Sequence, residues 1–333
     1  MLLAKPSVFS GSVPQNLAAH EAQFFMRDVT FDLPEIRTKT LSAVHFNEAG
    51  ELFDANGVLP ESFLSASHLA RDIERFARRH KTALADPVGI GGQHLWITDR
   101  MSHNYYHWLC DCLPRLEAWL MQHDDARLLL PRRVYDQPYV RDSLAAYPQV
   151  SLIEPPPKAA SGRTCLKLPG RVANAAQHHP LLAGRVAARL KRHFAGGVAA
   201  KGRRLHVSRS HSRFRRLANE AQLLAVLEKQ GVEVVHLEQF SFGAQVRLLG
   251  EAEFVSGPHG AGLTNMMFMP RHSQVLELRQ LAGTPNCFFT LANVCGHRYQ
   301  VLGCASEREG VHPHAGDLLA EPQRLEAALR QMR

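Results

Sequence analysis

The most informative motif of the sequence is Gly257-Pro258-His259-Gly260-Ala261-Gly262-Leu263-Thr264-Asn265. An apolar run of strand type, residues 253–256, precedes it, and an apolar run of helical type, residues 263–269, follows it. The order strand, glycine turn, helix is typical of an α/β unit whose backbone approaches a ligand and whose first helical N–H groups face an anion. A glycine turn between two core elements would have the same pattern, because glycine punctuates loops of every kind. The polar side chains of His259, Thr264 and Asn265 favour a binding site, since a purely structural turn does not need them.

Strand-type and helix-type segments alternate through the second half of the chain. The pattern predicts strands over residues 204–208, 232–237, 253–256, 274–278 and 297–301, and helices over 219–230, 241–251, 286–295 and 317–332. This alternation is typical of βαβ units and a parallel sheet. The sequence therefore predicts a Rossmann-like domain here.

The first half alternates in the same way, though less clearly. Strands are predicted over residues 29–33, 41–46, 94–97, 128–131, 150–153 and 165–170, helices over 65–81, 138–146 and 180–194, and a turn over 89–92. The pair Gly196-Gly197 ends the last of these helices, and we place the domain boundary there. The expected division is an N-terminal domain over 1–195, a C-terminal domain over 196–312 and a final helix within 313–333.

Composition places the chain among ordinary globular proteins with an anionic partner. It has 333 residues, of which 45% are hydrophobic and 21% charged, so about two domains are expected. The formal charge of +8 favours a nucleotide, a phosphorylated lipid, an acidic polymer or a membrane surface. Six cysteines form no Cys-x-x-Cys pair, and no apolar run approaches the ~20 residues of a membrane span. We therefore expect a cytoplasmic protein, either soluble or peripherally associated with the inner face of a membrane.

Basic and acidic side chains follow the predicted strands at the edge where α/β proteins bind ligands. Four arginines come after the 204–208 strand: Arg209, Arg213, Arg215 and Arg216. Arginines and a helix N-terminus together suit a diphosphate, and Glu277, at the end of its strand, suits the two hydroxyls of a ribose. Neither a dinucleotide fingerprint nor a P-loop is present. The pattern predicts a nucleotide site, with a solvated basic loop as the alternative.

A second set of polar residues lies on a predicted helix that begins near Ser102. Asn104, His107 and Asp111 share one face of it. Burying His and Asp is costly unless they pair or serve a site, although a hydrogen-bonded cap on a buried helix would also explain them. An ionised Asp can take a proton from an attacking hydroxyl while a neighbouring His orients it. No metal site is predicted, because no third ligand accompanies the His-x3-Asp pair at helical spacing.

Three blocks of the sequence, in this order, resemble those of glycosyltransferase family 61. Residues 104–116 resemble the block Asn-Tyr-x-His-Trp…Asp…Leu-Pro-Arg-Leu. Residues 207–209 and 215–220 resemble Ser-Arg…Arg-Arg…Asn-Glu, and residues 257–265 resemble His-Gly-Ala-Gly-Leu-Thr-Asn. The resemblance covers roughly residues 90–280, and three ordered blocks are more specific than any one alone.

This resemblance implies a GT-B type α/β fold, in which two Rossmann-like domains face each other across a cleft. It implies an inverting glycosyltransferase that uses a nucleotide-sugar, commonly a UDP-sugar, and no obligatory cofactor or metal. A glycan or lipid-linked acceptor and a role in bacterial capsule or surface polysaccharide synthesis are the corresponding expectations.

The resemblance also assigns roles by position. Asp111 becomes the base with His107 beside it, and Asn104, Tyr106 and Arg115 become substrate contacts. The predicted donor site consists of Arg209, Arg215, His259, Gly260, Ala261, Gly262, Leu263, Thr264, Asn265 and, against the nucleoside, Glu277. Residues 210–214 are less uniformly basic than in many family members, so the second phosphate-binding arginine stays open.

Two other functions compete with this one. A polyanion or nucleic-acid binder could use the basic stretch 201–216, but Phe214 is its only aromatic residue, so no nucleic-acid partner is expected. A GT-B nucleotide-sugar epimerase would share the donor site. The sequence specifies neither the donor sugar, the acceptor and linkage, nor the oligomeric state.

Overall fold

A computed structural model of the chain describes residues 1–18, 20–63, 73–196 and 202–332. The chain divides into two compact units. The first contains residues 1–7 and 33–175, and the second contains residues 8–32 and 176–333. Both units combine sheets with helices, so the predicted α/β class is confirmed.

The elements are numbered in chain order. The strands are β1 Leu2–Ala4, β2 Ser7–Ser10, β3 Thr30–Leu33, β4 Ile36–Phe46, β5 Leu52–Asp54, β6 Gly57–Val58, β7 Val88–Leu95, β8 Ala126–Leu129, β9 Val150–Ile153, β10 Gly162–Pro169, β11 Arg203–Val207, β12 Glu233–Val235, β13 Ala252–Pro258, β14 Gln274–Arg279, β15 Arg298–Gly303, β16 Ala305–Ser306 and β17 Leu318–Leu319. The α-helices are α1 Ile73–Ala85, α2 Tyr105–His107, α3 Leu113–Leu120, α4 Arg132–Tyr135, α5 Pro138–Leu144, α6 Pro180–Ala195, α7 Glu220–Lys229, α8 Phe242–Gly250, α9 Cys287–Cys295 and α10 Pro322–Gln331. A π-helical turn, Trp108–Cys112, joins α2 to α3.

The first unit is built on a mixed sheet with the order β6-β5-β4-β10-β7-β8-β9, and β1 pairs with β4. Strands β10, β7, β8 and β9 are parallel, whereas β1, β4, β5 and β6 pair antiparallel. The predicted Rossmann-like domain is therefore corrected to a mixed sheet. The reason is that β4, β5 and β6 are joined by short loops, which only antiparallel strands can use.

The core of the first unit lies beneath β4, β7 and β10, where Phe46 and Trp96 pack with ring centroids 5.1 Å apart. The turn predicted over residues 89–92 is absent, because these residues lie within β7, which pairs with β10 at Gly89 and again at Gln93. The predicted helix over 65–81 corresponds in part to α1. Residues 64–72 lie outside the described residues.

The second unit contains a five-stranded sheet with the order β12-β11-β13-β14-β15, in which every pair is parallel. The strands stand in the order second, first, third, fourth and fifth along the chain, which is a doubly wound arrangement with its switch point between β11 and β13. Helices α7 and α10 pack on one core of this unit through Leu223, Leu227, Leu325 and Leu329. The predicted C-terminal helix therefore belongs to this unit and begins at Pro322.

The boundary between the units differs from the predicted one. Helix α6 lies before the predicted boundary but packs on α8 of the second unit, where the rings of Phe194 and Phe242 lie 5.4 Å apart. Residues 8–32 also join this unit, since the backbone N–H of Ser12 donates to Asn293 over 2.8 Å. The division therefore lies near residue 175. No helix in the described part of the chain is long and apolar enough to cross a membrane.

Candidate active site

The residues predicted to act in the site fall into two groups, one in each unit. His107, Asp111 and their neighbours belong to the first unit, and the arginines and the glycine turn belong to the second. Each group is built by its own elements.

His107 and Asp111 form a hydrogen-bonded pair on the first unit. The Nδ1 atom of His107 lies 2.6 Å from the Oδ2 atom of Asp111, and the two side chains are 17% and 22% exposed. This contact leaves Nε2 as the ring nitrogen that Asp111 does not engage. A carboxylate on Nδ1 fixes the imidazole tautomer that carries its proton on Nδ1, and Nε2 is then a proton acceptor.

The π-helical turn aligns this pair. Pro114 has no N–H to donate to the carbonyl of Cys110, so the regular i→i+4 ladder cannot continue there. Trp108 anchors the turn from its other side, because it is fully buried and its indole N–H donates to Ser143 over 2.8 Å. Single π-turns inside helices occur frequently at functional sites.

The three predicted substrate contacts around this pair have structural tasks. Asn104 caps α2 by accepting the N–H of Tyr106 at 3.0 Å, which is the cap considered as an alternative at the sequence level. Tyr106 is buried beside the His107 ring. Arg115 is buried and donates to the carbonyls of Pro169 and Ile97, and burial lowers its pKa to about 10. These hydrogen bonds engage all three guanidinium nitrogens of Arg115, and its contact with a substrate stays a prediction.

Arg209 and Gly260 meet at the switch point of the second unit. Arg209 follows β11, and Gly260 follows β13, its parallel neighbour in the sheet. A Cβ atom added at Gly260 would overlap the Nη1 atom of Arg209 and would lie 2.8 Å from Cζ. Only glycine therefore lets the guanidinium rest against the turn, where its Nη2 atom donates to the carbonyl of Phe214 over 2.9 Å.

Arg209 and Arg215 form a positively charged pair with unused hydrogen-bonding capacity. Within the described residues neither forms an ion pair with a carboxylate, and the buried Nε atom of each has no hydrogen-bond partner. Burial and the nearby Arg215 lower the pKa of Arg209 to about 10, so it stays charged at neutral pH. Arg215 has a backbone φ of +58°, a strained value for a residue with a side chain. Two partly buried cations with free donors are the features of an anion site.

His259 is held beside this pair by a buried network. Its Nδ1 atom is hydrogen bonded to Glu277, whose other oxygen accepts the hydroxyl of Tyr299, and Arg279 lies 4.0 Å from that oxygen. Burial would raise the pKa of Glu277, but His259 and Arg279 outweigh it and hold the pKa below its ordinary value. Burial also lowers the pKa of His259, against the attraction of Glu277.

Glu277 positions His259 in the structure, and its contact with the ribose stays a prediction. Its side chain has no exposed surface, and both of its oxygens are occupied within the protein. Glu277 lies two residues before the end of β14 rather than at its end, and the local sequence does not reveal how deeply its side chain is buried.

The glycine turn leads into a 3-10 helix, Ala261–Phe268, whose second half packs into the core. Leu263, Thr264 and Asn265 are all buried, and Asn265 donates to Gln245 and to the carbonyl of Gly262. These hydrogen bonds hold Asn265 within the second unit, and its contact with the donor stays a prediction. The Oγ1 atom of Thr264 is buried without a hydrogen-bond partner.

Four residues near His259 escaped the sequence reasoning. The His314 ring centroid lies 6.3 Å from that of His259, and the Phe288 centroid lies 4.9 Å away. Arg279 and Tyr299 complete the Glu277 network. Arg279 ends β14 at the ligand-binding edge, a signal that could have identified it. His314 lies in a loop, and no pattern in the sequence marks it.

The geometry supports two kinds of chemistry. The second unit presents fixed cations where a parallel sheet binds anionic ligands, and the first presents a proton-accepting pair.

Comparison with known proteins identifies the family of the chain. The profile of Glycosyltransferase 61 matches residues 105–276, which is about half of the chain and includes His107, Asp111, Arg209 and the glycine turn. The EGF domain-specific O-linked N-acetylglucosamine transferase of Drosophila melanogaster is 34% identical over 112 residues, which are 32% of this chain and 21% of that protein. The Protein O-linked-mannose beta-1,4-N-acetylglucosaminyltransferase 2 of Bos taurus is 33% identical over 114 residues, which are 32% of this chain and 19% of that protein.

The matched part thus spans about a fifth of each relative. The family match includes His107 and Asp111 of the first unit and Arg209, Arg215 and the glycine turn of the second, and it confirms the enzyme class that the three sequence blocks implied. The chain belongs to glycosyltransferase family 61.

Proposed function

We propose that the chain transfers a sugar from a UDP-sugar to a hydroxyl of a glycan or lipid-linked acceptor, in a single displacement that inverts the anomeric carbon. The observation that carries this proposal is the Arg209–Arg215 pair at the switch point of the parallel sheet, with its unused Nε donors. A diphosphate supplies the two negative charges and the acceptor oxygens that such a pair lacks.

The donor is held by its diphosphate. Arg209 and Arg215 contact the phosphate oxygens. Because Gly260 has no side chain, the guanidinium of Arg209 can lie directly against the backbone of the turn. His259, kept in place by Glu277, presents its Nε2 edge to the same group. As the bond between the anomeric carbon and the diphosphate breaks, the departing UDP takes the electron pair. The fixed cations stabilise the charge that develops on it.

The acceptor is activated by His107 and Asp111 together. The sequence predicts Asp111 as the base. Because Asp111 lies 2.6 Å from Nδ1 of His107, Asp111 is proposed to act through this histidine. The Nε2 atom of His107 takes the acceptor proton as the acceptor oxygen attacks the anomeric carbon. Asp111 stays ionised, orients the ring and stabilises the imidazolium that forms.

The proposed donor sugar follows from the relatives. The names of both relatives refer to N-acetylglucosamine transfer and neither refers to a polysaccharide, so UDP-N-acetylglucosamine is the first donor to test. Capsule or surface polysaccharide synthesis and the GT-B arrangement are proposals drawn from the family resemblance. A cytoplasmic location and peripheral membrane association are proposals drawn from the cysteines, the lack of a long apolar run and the positive charge of the sequence.

Calorimetry with UDP tests the donor site. We expect UDP to bind more tightly than GDP or CMP, and Arg209→Ala to weaken UDP binding by ten- to a hundredfold, the value of a charge-assisted hydrogen bond. Arg213→Ala is the matched control, because this exposed arginine of the same loop lies against Phe214. An unchanged UDP affinity in Arg209→Ala would remove this residue from the site.

Three measurements distinguish a transferase, an epimerase and a polyanion binder. Release of UDP that requires an acceptor indicates transfer, whereas isomerisation of the donor without an acceptor indicates an epimerase. Binding of an oligonucleotide in place of UDP would favour a polyanion binder.

A further inference from the structure

Two histidines and a glutamate converge on the second unit, outside the site described above. Among the described residues, His211, His236 and Glu238 form the group whose ligand atoms all lie within 4.8 Å of one another. His211 lies in the loop after β11. His236 directly follows β12, and Glu238 lies in the 3-10 turn Leu237–Gln239. Because β11 and β12 are parallel neighbours, all three side chains lie at the same edge of the sheet.

The three side chains share one focus. The Oε1 atom of Glu238 lies 3.0 Å from Nδ1 of His211 and 3.8 Å from Nδ1 of His236. The two imidazole rings are nearly parallel, with centroids 4.5 Å apart and an angle of 16° between their planes. Both Nδ1 edges thus lie near one carboxylate, an arrangement that brings two nitrogens and one oxygen together.

Hydrogen bonding within the protein does not explain this arrangement. His211 is paired with Glu238, but the Nδ1 atom of His236 is buried and has no hydrogen-bond partner. The Glu238 oxygen, at 3.8 Å, is beyond hydrogen-bond reach of it. A buried imidazole nitrogen without a partner is costly, and a metal ion at the centre of the group would satisfy it.

We propose that His211, His236 and Glu238 bind a divalent transition metal, with Zn²⁺ as the best-suited ion. Two imidazoles and one carboxylate are a donor set that Zn²⁺ accepts in tetrahedral sites, with water in the fourth position. Ligand atoms around Zn²⁺ lie about 2.0–2.2 Å from the ion. The longest distances between the three ligand atoms must therefore shorten by roughly 1 Å when the ion binds. The exposed side chains of His211 and Glu238 have the freedom to do so.

The site would fasten the arginine-bearing loop to the sheet. It joins the loop that carries Arg209 and Arg215 to the end of β12, one strand away from the switch point between β11 and β13. The metal's task is therefore to position this loop. Metal binding itself does not depend on the proposed sugar transfer, so the two can fail separately.

The test is Zn²⁺ titration of chelator-treated protein by calorimetry, together with Co²⁺ titration followed by visible absorption. We expect one metal ion per chain and the intense Co²⁺ bands of a tetrahedral site. His236→Ala and Glu238→Gln should each weaken Zn²⁺ binding at least about tenfold, the lower end of the effect of disturbing a metal shell. His20→Ala, which removes an exposed histidine outside the group, should leave the affinity unchanged.

The outcomes decide the proposal in either direction. Equal Zn²⁺ affinity in the wild type and both variants, or no saturable binding, would overturn it. Circular dichroism of each variant establishes that it is folded, and Glu238→Gln, at an exposed position, serves if His236→Ala does not fold. Loss of the tetrahedral Co²⁺ spectrum in the folded variants, with His20→Ala intact, supports it.

Discussion

Asp111 contributes a negative charge to the proton-accepting pair, and Asp111→Asn removes that charge with little change in shape. We expect this substitution to lower kcat by about 10²–10⁴, the usual contribution of general base catalysis, because Nε2 of His107 loses its basicity and the tautomer is no longer fixed. His107→Gln should cause a loss of similar size. Initial rates of UDP release with donor and acceptor, alongside calorimetry with UDP, measure the two effects separately.

UDP affinity should stay the same in both variants, since the donor residues belong to the second unit. Asp142→Asn, at an exposed position of α5 in the first unit, is the matched control and should retain full activity. Wild-type kcat in Asp111→Asn would disprove the pairing mechanism.

Single residues show which roles can be read from a sequence. Helical spacing predicts that His107 and Asp111 share one face, because that prediction depends on local geometry alone. The contact of Arg209 with the glycine turn depends in addition on the pairing of β11 with β13. The surroundings of Glu277 and Arg115 could not be predicted. Their charges are neutralised or hydrogen bonded by groups that are remote in sequence or lie in other elements, such as Tyr299 and Pro169. Burial of this kind depends on the tertiary structure.

Gly257, which lies in β13, and Gly260, which lies in the turn after it, have different tasks, although both belong to the same glycine motif. A Cβ atom at Gly260 would meet the end of the flexible Arg209 side chain, whereas a Cβ at Gly257 would lie 2.9 Å from the backbone oxygen of Val207 in β11. The side chain of Arg209 can move away, but the backbone of a paired strand cannot.

We therefore expect Gly260→Ala to weaken UDP binding about tenfold or more while the free energy of unfolding stays near wild type, because Arg209 is displaced. Gly257→Ala should instead lower the free energy of unfolding by about 1–3 kcal/mol through overpacking of β11 against β13. Urea denaturation and UDP calorimetry on both variants measure the contrast. The assignment fails if Gly260→Ala binds UDP like the wild type, or if Gly257→Ala is fully stable.

The sequence predicts the order of strands and helices, but it does not predict the type of each helix. Hydrophobic periodicity located the five strands of the parallel sheet and the helices α6 to α10, since a parallel sheet with covering helices repeats one simple pattern. It could not distinguish the 3-10 helix Ala261–Phe268 or the π-turn Trp108–Cys112 from α-helix. These forms differ by one residue in hydrogen-bond spacing, which packing rather than periodicity decides.

At the scale of the whole chain, the sequence did not reveal that an early segment joins the second unit. The described residues of the segment 8–32 form short strands and 3-10 turns. Phe25 packs against Phe289 with ring centroids 5.1 Å apart, and Asn286 donates to the carbonyl of Phe24. Such contacts join residues more than 250 positions apart in the chain, a separation that no local pattern encodes. The predicted boundary after residue 195 failed for the same reason, because α6 is recognisable as a helix but not by its partner.

Two buried histidines of the second unit should make the free energy of unfolding depend on pH. Burial lowers the pKa of His206 and of His297 to about 4, below the 6.5 of an unperturbed imidazole. Between these values the unfolded chain binds protons that the folded chain does not. Folding stability therefore decreases as the pH falls from 6.5 towards 4, by up to about 1.4 kcal/mol per pH unit for each histidine.

His206→Asn should reduce this dependence on pH, because the variant has no imidazole to protonate in the unfolded state. His206 lies within β11 beside the hydroxyl of Ser256 at 2.9 Å, so the amide of Asn keeps a polar group there. Urea denaturation at several pH values between 4.5 and 7.5 gives the slope of unfolding free energy against pH for each protein. His20→Asn, at an exposed site, should keep the wild-type slope. An unchanged slope in His206→Asn would show that His206 is protonated equally in the folded and unfolded states.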